Sequence, residues 1–311
     1  MPYDLKLFTG NSNLTLAREM AEYLETPLAD VEIKTFADGE TFVKYAENIR
    51  GADVFIVQST NSPARNLLEL FLLIDAARKA SAKRVTAVIP YYGYSRQDRK
   101  DQPRVSISSK LMADLITKSG ANRVITMDLH AAQIQGFFDI PVDHLYSSIA
   151  FTAHFKRMHI PNLVIVAPDV GSIRMARAYS KRLGAGLAMI DKRRPEPNAV
   201  EVMNIIGEVE GKNVLLLDDM VDTAGTLCEA ARAVKEQGAV CVFAAATHCL
   251  LSGPAVDRLQ ASPIERLIVT NTIEIPPEKR FPGLEIVSVG HIFAEALRRT
   301  HNEESISSLF D

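Results

Sequence analysis

One stretch decides the fold, Val214-Leu215-Leu216-Leu217-Asp218-Asp219-Met220-Val221-Asp222-Thr223-Ala224-Gly225-Thr226, in which an apolar run leads into a polar loop. Four consecutive aliphatic residues predict a strand that is buried on both faces, as in a parallel sheet. Apolar residues then recur at helical spacing from Leu227 to Val234. Strand, loop and helix in this order place backbone N–H groups and a helix N-terminus around a phosphate.

The two carboxylates of this stretch require a different partner, because Asp218 and Asp219 repel a phosphate. Carboxylates accept hydrogen bonds, so neighbouring sugar hydroxyls or a divalent cation are their natural partners. The stretch is therefore predicted to hold both ends of a phosphorylated sugar. The phosphate would be held by Asp222, Thr223, Ala224, Gly225 and Thr226. The alternative is a solvated turn in which Asp222 only caps the next helix.

The composition excludes several classes of protein. Of 311 residues, 47% are hydrophobic and 23% are charged, which predicts packed cores rather than disorder. A net charge of −3 gives no electrostatic reason to bind nucleic acid or an anionic membrane. The chain start does not look like a signal peptide, and the longest apolar run is too short to span a bilayer. We expect a cytoplasmic protein whose three cysteines are reduced core residues.

Short aliphatic runs alternate with helical patterns, which predicts an α/β protein with mainly parallel sheets flanked by helices. The second half looks like a copy of the first. Leu5–Phe8 matches Leu163–Val166, and similar matches place residues 51–54 on 211–214 and residues 123–126 on 266–269. We therefore predict two tandem domains, residues 1–147 and 148–300, with a tail at 301–311.

The repeat also predicts which copy keeps the site. Gln58-Ser59 falls on Asp218-Asp219, and Arg65 falls on Gly225, so the first copy lacks the acidic pair and the glycine. Only the second domain is expected to bind the sugar phosphate.

The stretch 214–226 is very similar to the phosphoribosyl-diphosphate (PRPP) binding motif. The residues of this stretch resemble those of the ribose-phosphate pyrophosphokinase family in its phosphate-activated, ADP-inhibited class. Further motifs along nearly the whole chain resemble the same family. The resemblance implies two phosphoribosyltransferase-like domains, with ATP presented by the first and ribose 5-phosphate bound by the second. It also implies transfer of the diphosphoryl group of MgATP to the C1 hydroxyl of ribose 5-phosphate, giving PRPP and AMP.

Two segments resemble the family's ATP-binding motifs. Phe36-Ala37-Asp38-Gly39-Glu40 is by itself a turn with two acids. By resemblance Phe36, Asp38, Gly39 and Glu40 reach the adenine of an ATP bound mainly by a neighbouring subunit. The segment from Tyr91 to Asp101 could be a solvated face, but the resemblance assigns Arg96 and Gln97 to ATP.

Two further segments resemble the family's metal and diphosphate loops. Met127–Phe138 matches the family's Asp-Leu-His segment, which implies that His130 helps to hold Mg²⁺, directly or through water. Ala167–Ser172 matches a diphosphate loop, which implies that Asp169 is a metal-associated acid. Ser172 stands where the family has a second glycine, and we expect strain there if that position needs a positive φ.

The segment Asp191–Asn198 contains three adjacent cations and two prolines, so we predict a loop rather than a helix or a central strand. Three adjacent cations are usually a surface feature. The segment also resembles the family's flexible catalytic loop, which implies that Lys192 and Arg194 are catalytic. Such a loop would bring positive charge to a phosphoryl transition state.

The C-terminal tail resembles the regulatory tail of the family, and it is expected near a subunit interface. Ser305, Ser307 and Phe310 would line a regulatory site, with Arg50 and Arg104 supplying its positive charge. Phosphate and ADP are the implied effectors, and a hexamer built from dimers is the implied assembly.

Two rival functions remain open from the sequence. A phosphoribosyltransferase uses the same sugar-phosphate loop to consume PRPP, but it leaves the first-domain motifs unexplained. A catalytically dead regulatory homologue would bind other subunits, and a substituted cationic loop would favour it, yet Lys192 and Arg194 are both present.

Overall fold

The structure, a computed structural model, describes residues 3–193 and 202–309. Within these residues the chain divides into two compact units. Unit 1 comprises residues 3–146, 272–274 and 288–309, and unit 2 comprises the rest of the described chain. Each unit is a mainly parallel sheet flanked by helices, so the predicted α/β class is confirmed.

The first half of the chain forms one parallel sheet and one hairpin. Its elements are β1 (Leu5–Thr9), α1 (Leu14–Tyr23), β2 (Val31–Thr35), β3 (Thr41–Tyr45), β4 (Asp53–Val57), α2 (Arg65–Lys79), β5 (Arg84–Ile89), α3 (Ser108–Ser119), β6 (Arg123–Met127) and β7 (Val142–Leu145). A 3₁₀ turn, Ala132–Phe137, lies between β6 and β7. The described sheet has the order β1-β4-β5-β6-β7, and β2 and β3 pair apart from it as an antiparallel hairpin.

The second half forms a larger sheet. Its elements are α4 (Ser148–Met158), β8 (Leu163–Ala167), α5 (Ile173–Leu183), β9 (Gly186–Arg193), β10 (Val202–Ile206), β11 (Asn213–Val221), α6 (Gly225–Glu236), β12 (Cys241–Cys249), α7 (Ala255–Gln260), β13 (Arg266–Thr270), β14 (Leu284–Val287) and α8 (Gly290–His301). Short 3₁₀ turns lie at Pro277–Lys279 and Ser307–Leu309. The described strands follow the order β10-β9-β8-β11-β12-β13-β14, and the β9–β10 pair is antiparallel.

The core of unit 2 forms on both faces of β11. Successive side chains of a strand point to opposite faces, so the aliphatic run supplies both cores. Val214 and Leu216 pack with apolar residues of α6, whereas Leu215 and Leu217 pack with apolar residues of α4 and α5. Complete burial on both faces fixes the position of the carboxyl end of β11, where the acids follow.

The internal repeat is visible in the strand registers. Leu5 pairs with Asp53 as Leu163 pairs with Asn213, and Thr86 pairs with Arg123 as Phe243 pairs with Arg266. The order β1-β4-β5-β6-β7 therefore matches β8-β11-β12-β13-β14. The β2–β3 hairpin corresponds in chain order to β9 and β10, which extend the sheet of unit 2 instead.

The first copy fills its own loop with a buried carboxylate. Glu69 of α2 is 1% exposed and accepts hydrogen bonds from Asn11 N (2.5 Å), Asn11 Nδ2 (2.9 Å) and Gln58 Nε2 (2.9 Å). Gln58 Oε1 also accepts from the Ser12 hydroxyl at 2.8 Å. A Cβ at Gly10 would lie 2.5 Å from Glu69 Oε1, so only glycine permits this approach. The loop after β1 thus already holds an anion that belongs to the chain.

The last helix corrects the predicted domain boundary. Residues 288–300, which we assigned to the second domain from the sequence, belong to unit 1. The buried side chains of α8 include Ile292, Phe293 and Leu297, and the helix packs against α1. Arg84 Nη2 also donates to Thr300 O at 2.9 Å. We placed α8 in the second domain because it follows that domain in the chain. Its apolar face instead packs against α1, near the other end of the chain.

The predicted loop at Asp191–Asn198 is corrected in its first residues. Asp191, Lys192 and Arg193 continue β9 and pair with β10, with Met203 opposite Lys192. The sequence patterns predict neither this extension nor β10, the strand that pairs with it. In the described part of the chain, no helix has the length and apolar character needed to cross a bilayer.

We predict that Glu69→Ala lowers the free energy of unfolding by about 2 kcal/mol or more, because three donors lose their acceptor and one of them, Gln58 Nε2, is buried. Glu69→Gln keeps one oxygen and should cost less. Urea denaturation checks both values. The control is Glu229→Ala, since Glu229 occupies the corresponding position of α6 and is exposed. Equal costs for Glu69→Ala and Glu229→Ala would contradict the role of Glu69.

Candidate active site

The strand that carries the two acids is longer than predicted. We expected it to end at Leu217, but β11 runs to Val221 because β12 continues beside it, with Val221 paired to Cys249. Asp218 and Asp219 therefore lie within the strand rather than in the loop. The connecting loop is reduced to residues 222–224. Backbone pairing thus holds the acids more rigidly than a loop would.

The N-terminus of α6 is open to a ligand. The residue that precedes the helix is Ala224, in a left-handed conformation with φ 60°, and its own side chain makes no capping hydrogen bond. The first N–H groups of a helix have no partner within it, and the helix dipole makes this end positive. The capping position is thus held by Ala224 and not by Asp222. The loop instead presents donors to an anion.

A cation that we did not predict from the sequence lies behind this loop. Arg258 of α7 donates from Nη1 to the carbonyl oxygen of Thr223 at 3.1 Å. A Cβ at Gly225 would lie 3.5 Å from the same nitrogen, so the guanidinium adjoins the start of α6. Arg258 lies 35 residues from Thr223 in the sequence, and only the path of α7 places it here. No local motif marks it.

The loop after β8 meets the same acids without backbone strain. Ser172 has φ −83° and ψ −4°, so the strain we expected at this position is absent. Its backbone N–H donates to Asp169 Oδ1 at 3.0 Å. Its hydroxyl lies 3.1 Å from Asp169 Oδ1 and 2.9 Å from Asp218 Oδ1. The serine thus links the acid of one loop to the acid of β11, as Ser12 is linked to Gln58 in the first copy.

Burial and two neighbouring carboxylates raise the pKa of one acid of this site, Asp218. Burial, with the charges of Asp219 and Asp169, raises the pKa of Asp218 from 3.8 to about 7, although hydrogen bonds from Ser172 and the Asp219 amide oppose the shift. A proton or a cation relieves this crowding. The oxygen donors suit Mg²⁺, although within the described residues no three acidic, imidazole or thiol side chains could hold a metal ion alone. Mg²⁺ commonly keeps waters and takes substrate phosphates as ligands, so few protein donors suffice.

Unit 1 contains a separate cavity of about 470 Å³. Its walls come from two segments singled out in the sequence, residues 96–106 and 130–133. Arg96, Gln97 and His130 all line it, so the structure brings His130 close to the Arg96-Gln97 pair, from which it is distant in the chain. The cavity is mixed in charge, because Arg99, Asp98 and Asp101 line it as well.

Hydrogen bonds fix the walls of this cavity. The Ser108 hydroxyl donates to Gln97 Oε1 at 2.5 Å, and Gln133 Nε2 donates to Asp98 Oδ2 at 3.0 Å. Gly93 leads into the first wall, and a Cβ there would lie 2.2 Å from the carbonyl oxygen of Thr60. The predicted loop after β5 therefore needs glycine at this position and is anchored at both ends.

The other predicted ATP residues lie at the tip of the β2–β3 hairpin. Phe36 N donates to Glu40 O at 2.8 Å, and Glu40 N donates to Asp38 Oδ1 at 3.0 Å, while Gly39 has φ 96°. Phe36 is 52% exposed. None of these residues lines the described cavity of unit 1. The tip is thus a rigid turn that presents an aromatic ring to the surface.

The predicted regulatory residues are only partly described. Arg50 and Arg104 are exposed, and Arg104 has φ 67°. The Ser305 hydroxyl donates to Ser307 Oγ at 3.0 Å, and Arg299 donates to the Ser305 carbonyl.

Three predicted residues lie wholly or in part outside the description. Arg194 and Phe310 are not among the described residues, and only the backbone of Lys192 is described.

Two family profiles match the chain. Residues 5–120 match the N-terminal domain of ribose phosphate pyrophosphokinase, and residues 192–311 match the phosphoribosyl synthetase-associated domain. The profiles together cover most of the sequence and leave out the stretch from β6 to the first part of β9.

Relatives with established names match over the full length. The chain is 54% identical to a ribose-phosphate pyrophosphokinase of Chlorobaculum tepidum, covering 100% of this chain and 96% of that protein. It is 53% identical to the enzyme of the same name from Caldanaerobacter subterraneus, covering 98% of each. The crystal structure of phosphoribosylpyrophosphate synthetase from Mycobacterium smegmatis superposes with a TM-score of 0.92 at 40% identity, covering 96% of this chain and 99% of that one. By these matches the chain belongs to the ribose-phosphate pyrophosphokinase family.

Proposed function

We propose that this chain transfers the β,γ-diphosphoryl group of ATP to the C1 hydroxyl of ribose 5-phosphate, giving PRPP and AMP. The observation that carries the proposal is the end of β11, where two acids are followed by the N-terminus of α6 with Ala224 at its capping position. It occurs in a chain that is 54% identical over its full length to a ribose-phosphate pyrophosphokinase.

The sugar phosphate is assigned to unit 2. The 5-phosphate accepts hydrogen bonds from the N–H groups at the start of α6 and from the hydroxyls of Thr223 and Thr226. Asp218 and Asp219 accept hydrogen bonds from the ring hydroxyls. The Arg258 guanidinium adds positive charge behind the phosphate loop. The left-handed conformation of Ala224 turns the chain so that α6 begins directly after the acids.

The nucleotide is assigned to unit 1. Arg96 and Gln97 contact ATP from the walls of the 470 Å³ cavity, and the planar guanidinium suits two phosphate oxygens at once. The hairpin tip with Phe36, Asp38, Gly39 and Glu40 contacts the adenine of an ATP bound to a neighbouring subunit. Its exposure supports that assignment, because the ring is presented to the surface of its own unit.

In the reaction, the C1 hydroxyl of ribose 5-phosphate releases its proton to water, and its oxygen forms a bond to the β-phosphorus. The bond from that phosphorus to the oxygen of the α-phosphate breaks, and AMP leaves with that oxygen. Negative charge grows on the transferred group, so positioning and electrostatic stabilisation supply most of the rate enhancement. Lys192 and Arg194 supply positive charge, and no side chain is assigned as a general base.

A magnesium ion, when bound with ATP, neutralises phosphate charge and polarises the attacked phosphoryl group. His130 is assigned to hold Mg²⁺, directly or through water, and Asp169 is assigned as a metal-associated acid. The crowded carboxylates around Asp218 support a cation in unit 2. The exposed position of His130 on the cavity wall supports a role beside the phosphates of ATP in unit 1.

Assembly and regulation extend the proposal. The chain forms a hexamer built from dimers, with phosphate and ADP acting at a site lined by Arg50, Arg104, Ser305, Ser307 and Phe310. The exposure of both arginines supports an anion site completed by another subunit. The enzyme acts in the cytoplasm, which is supported by its three free cysteines.

The phosphoribosyltransferase rival uses only unit 2. It gives no role to the cavity of unit 1, whose walls are fixed by hydrogen bonds from Ser108 and Gln133. The dead regulatory homologue requires a degraded site, but the acids of β11 and the open helix end are both intact.

We predict that the purified chain forms AMP and PRPP in equal amounts from ATP, Mg²⁺ and ribose 5-phosphate. Chromatography of the nucleotides measures AMP, and a mixture without ribose 5-phosphate is the control. Absence of ribose-dependent AMP would remove the synthetase proposal. Consumption of PRPP with a free base would favour the transferase.

We predict that Thr226→Asp raises the KM for ribose 5-phosphate by about 10-fold or more, because a carboxylate within about 4 Å of a phosphate costs roughly 1–4 kcal/mol. The same charge favours the N-terminus of α6, so the melting temperature should not fall. Thr226→Asn is the neutral control of similar size. A KM for Thr226→Asp equal to that of Thr226→Asn would speak against a phosphate at this helix end.

We predict that the free energy of unfolding of the ligand-free, metal-free protein falls as the pH rises from about 4 to about 7, because of Asp218. Its pKa in the folded protein is about 7 against 3.8 ordinarily, so across this window the folded chain holds a proton that the unfolded chain has lost. Each unit of pKa difference corresponds to about 1.4 kcal/mol, so the upper bound is about 4 kcal/mol.

Asp218→Asn should remove that loss. Urea denaturation at pH 5 and pH 8 measures it, with exposed Asp257→Asn as the control in the same unit. A pH dependence in Asp218→Asn as steep as in the wild type would show that Asp218 is not the group responsible.

A further inference from the structure

The loop that carries His130 leaves its strand through an unusual backbone conformation. β6 ends at Met127, and the next residue, Asp128, has φ 38°. A residue other than glycine in the left-handed region persists only where its surroundings hold it. Asp128 N donates to the carbonyl oxygen of Leu145 at 3.0 Å, which holds one side of this residue.

The other side is held by a side chain rather than by the backbone. Leu129 N donates to Nε2 of His144 at 2.9 Å, and His144 is 6% exposed. His144 belongs to β7, where it pairs with Thr126 of β6. Its imidazole therefore reaches past the end of β6 and accepts the first amide beyond the left-handed residue.

The same imidazole also reaches the far end of the loop. Gln135 Nε2 lies 3.2 Å from Nδ1 of His144, and the same amide donates to the carbonyl oxygen of Ala132 at 3.0 Å. Gln135 lies in the 3₁₀ turn that follows His130. Because Nε2 accepts a hydrogen bond from a backbone amide, the neutral ring carries its proton on Nδ1. The Gln135 amide nitrogen is also a donor, so its approach to Nδ1 is a packing contact and not a hydrogen bond.

The segment 129–135 is thus attached at Leu129 to one buried side chain by a hydrogen bond, and it packs beside the same ring at Gln135. Between these two points lie His130, Ala131 and Gln133, which form one wall of the 470 Å³ cavity. The ring of Tyr146 lies 4.6 Å from the imidazole and packs against it. His144 does not line the cavity itself. His144 therefore determines the position of the wall through its contacts with the segment 129–135, and it does not touch a ligand in the cavity.

We propose that His144 is a positioning residue that sets the cavity wall of residues 129–135 for nucleotide binding. This inference rests on the proposed assignment of ATP to the cavity. A small displacement of a wall far from the reacting atoms can cost a large factor in rate, since catalysis here depends on position. Removal of the imidazole should therefore affect the nucleotide and leave ribose 5-phosphate binding, assigned to unit 2, nearly unchanged.

The test compares His144→Ala, which removes the acceptor, with His144→Gln, whose side-chain oxygen can accept from Leu129 N in place of Nε2. His144→Ala should lower kcat/KM for ATP by about 10-fold or more, while the KM for ribose 5-phosphate stays within about 2-fold. His144→Gln should recover most of the loss. His154→Gln, a substitution of a mostly buried histidine in unit 2, is the matched control and should leave both constants near those of the wild type.

A second readout does not need activity. Amide hydrogen exchange of the peptide 128–138 in the ligand-free enzyme should be faster in His144→Ala and return toward the wild-type rate in His144→Gln. Melting temperatures identify loss from global unfolding, and the exchange of β4 and β5 peptides serves as the internal reference.

Unchanged exchange in a folded His144→Ala, or equal losses for ATP and ribose 5-phosphate, would overturn the inference. A wild type that forms no AMP would instead overturn the proposed function. The exchange comparison alone would then decide whether His144 holds this segment.

Discussion

The site in unit 2 depends on the burial of one strand from both sides. Val214 and Leu216 are held by one layer of helices, and Leu215 and Leu217 by the other, so β11 cannot shift along its axis without exposing apolar side chains. Asp218 and Asp219, which follow in the same strand, are therefore held in position as well. Because β12 pairs with β11 as far as Val221, the acids are held by hydrogen bonds between strands, and the helix begins at Gly225 after the loop of residues 222–224.

The two copies of the fold have the same backbone arrangement, but the loop is filled by a side chain in the first copy and left for a ligand in the second. In the first copy, the position of Asp218 is taken by Gln58, and the carboxylate of Glu69 fills the loop after β1. In the second copy, the counterpart of Glu69 is exposed and the acids crowd one another. The first loop is saturated by the chain's own donors and acceptors. The second keeps electrostatic strain that a cation or a hydroxyl-bearing ligand relieves.

Hydroxyl groups link the loops of both copies to the central strands. Ser12 contacts Gln58 and Ser172 contacts Asp218 at similar distances, 2.8 and 2.9 Å. The substitution of the family's second glycine by Ser172 therefore adds a contact rather than strain, since its backbone is in the ordinary helical region. Preorganisation of this kind lowers the cost of holding the acids in one geometry.

The sequence alone determined the α/β class, the strands with strong apolar runs and the internal repeat, and it predicted the segments assigned to the site, because apolar periodicity and local motifs are properties of neighbouring residues. It missed the strands β2, β3, β7, β10 and β14, which lack a long apolar run. It also placed α8 in the wrong unit, because helix packing joins residues far apart in the chain. Only the tertiary structure brought Arg258 to Thr223, Glu69 to Asn11 and His144 to Leu129. Each of these contacts bridges more than a dozen residues, and no local pattern records a partner at that separation.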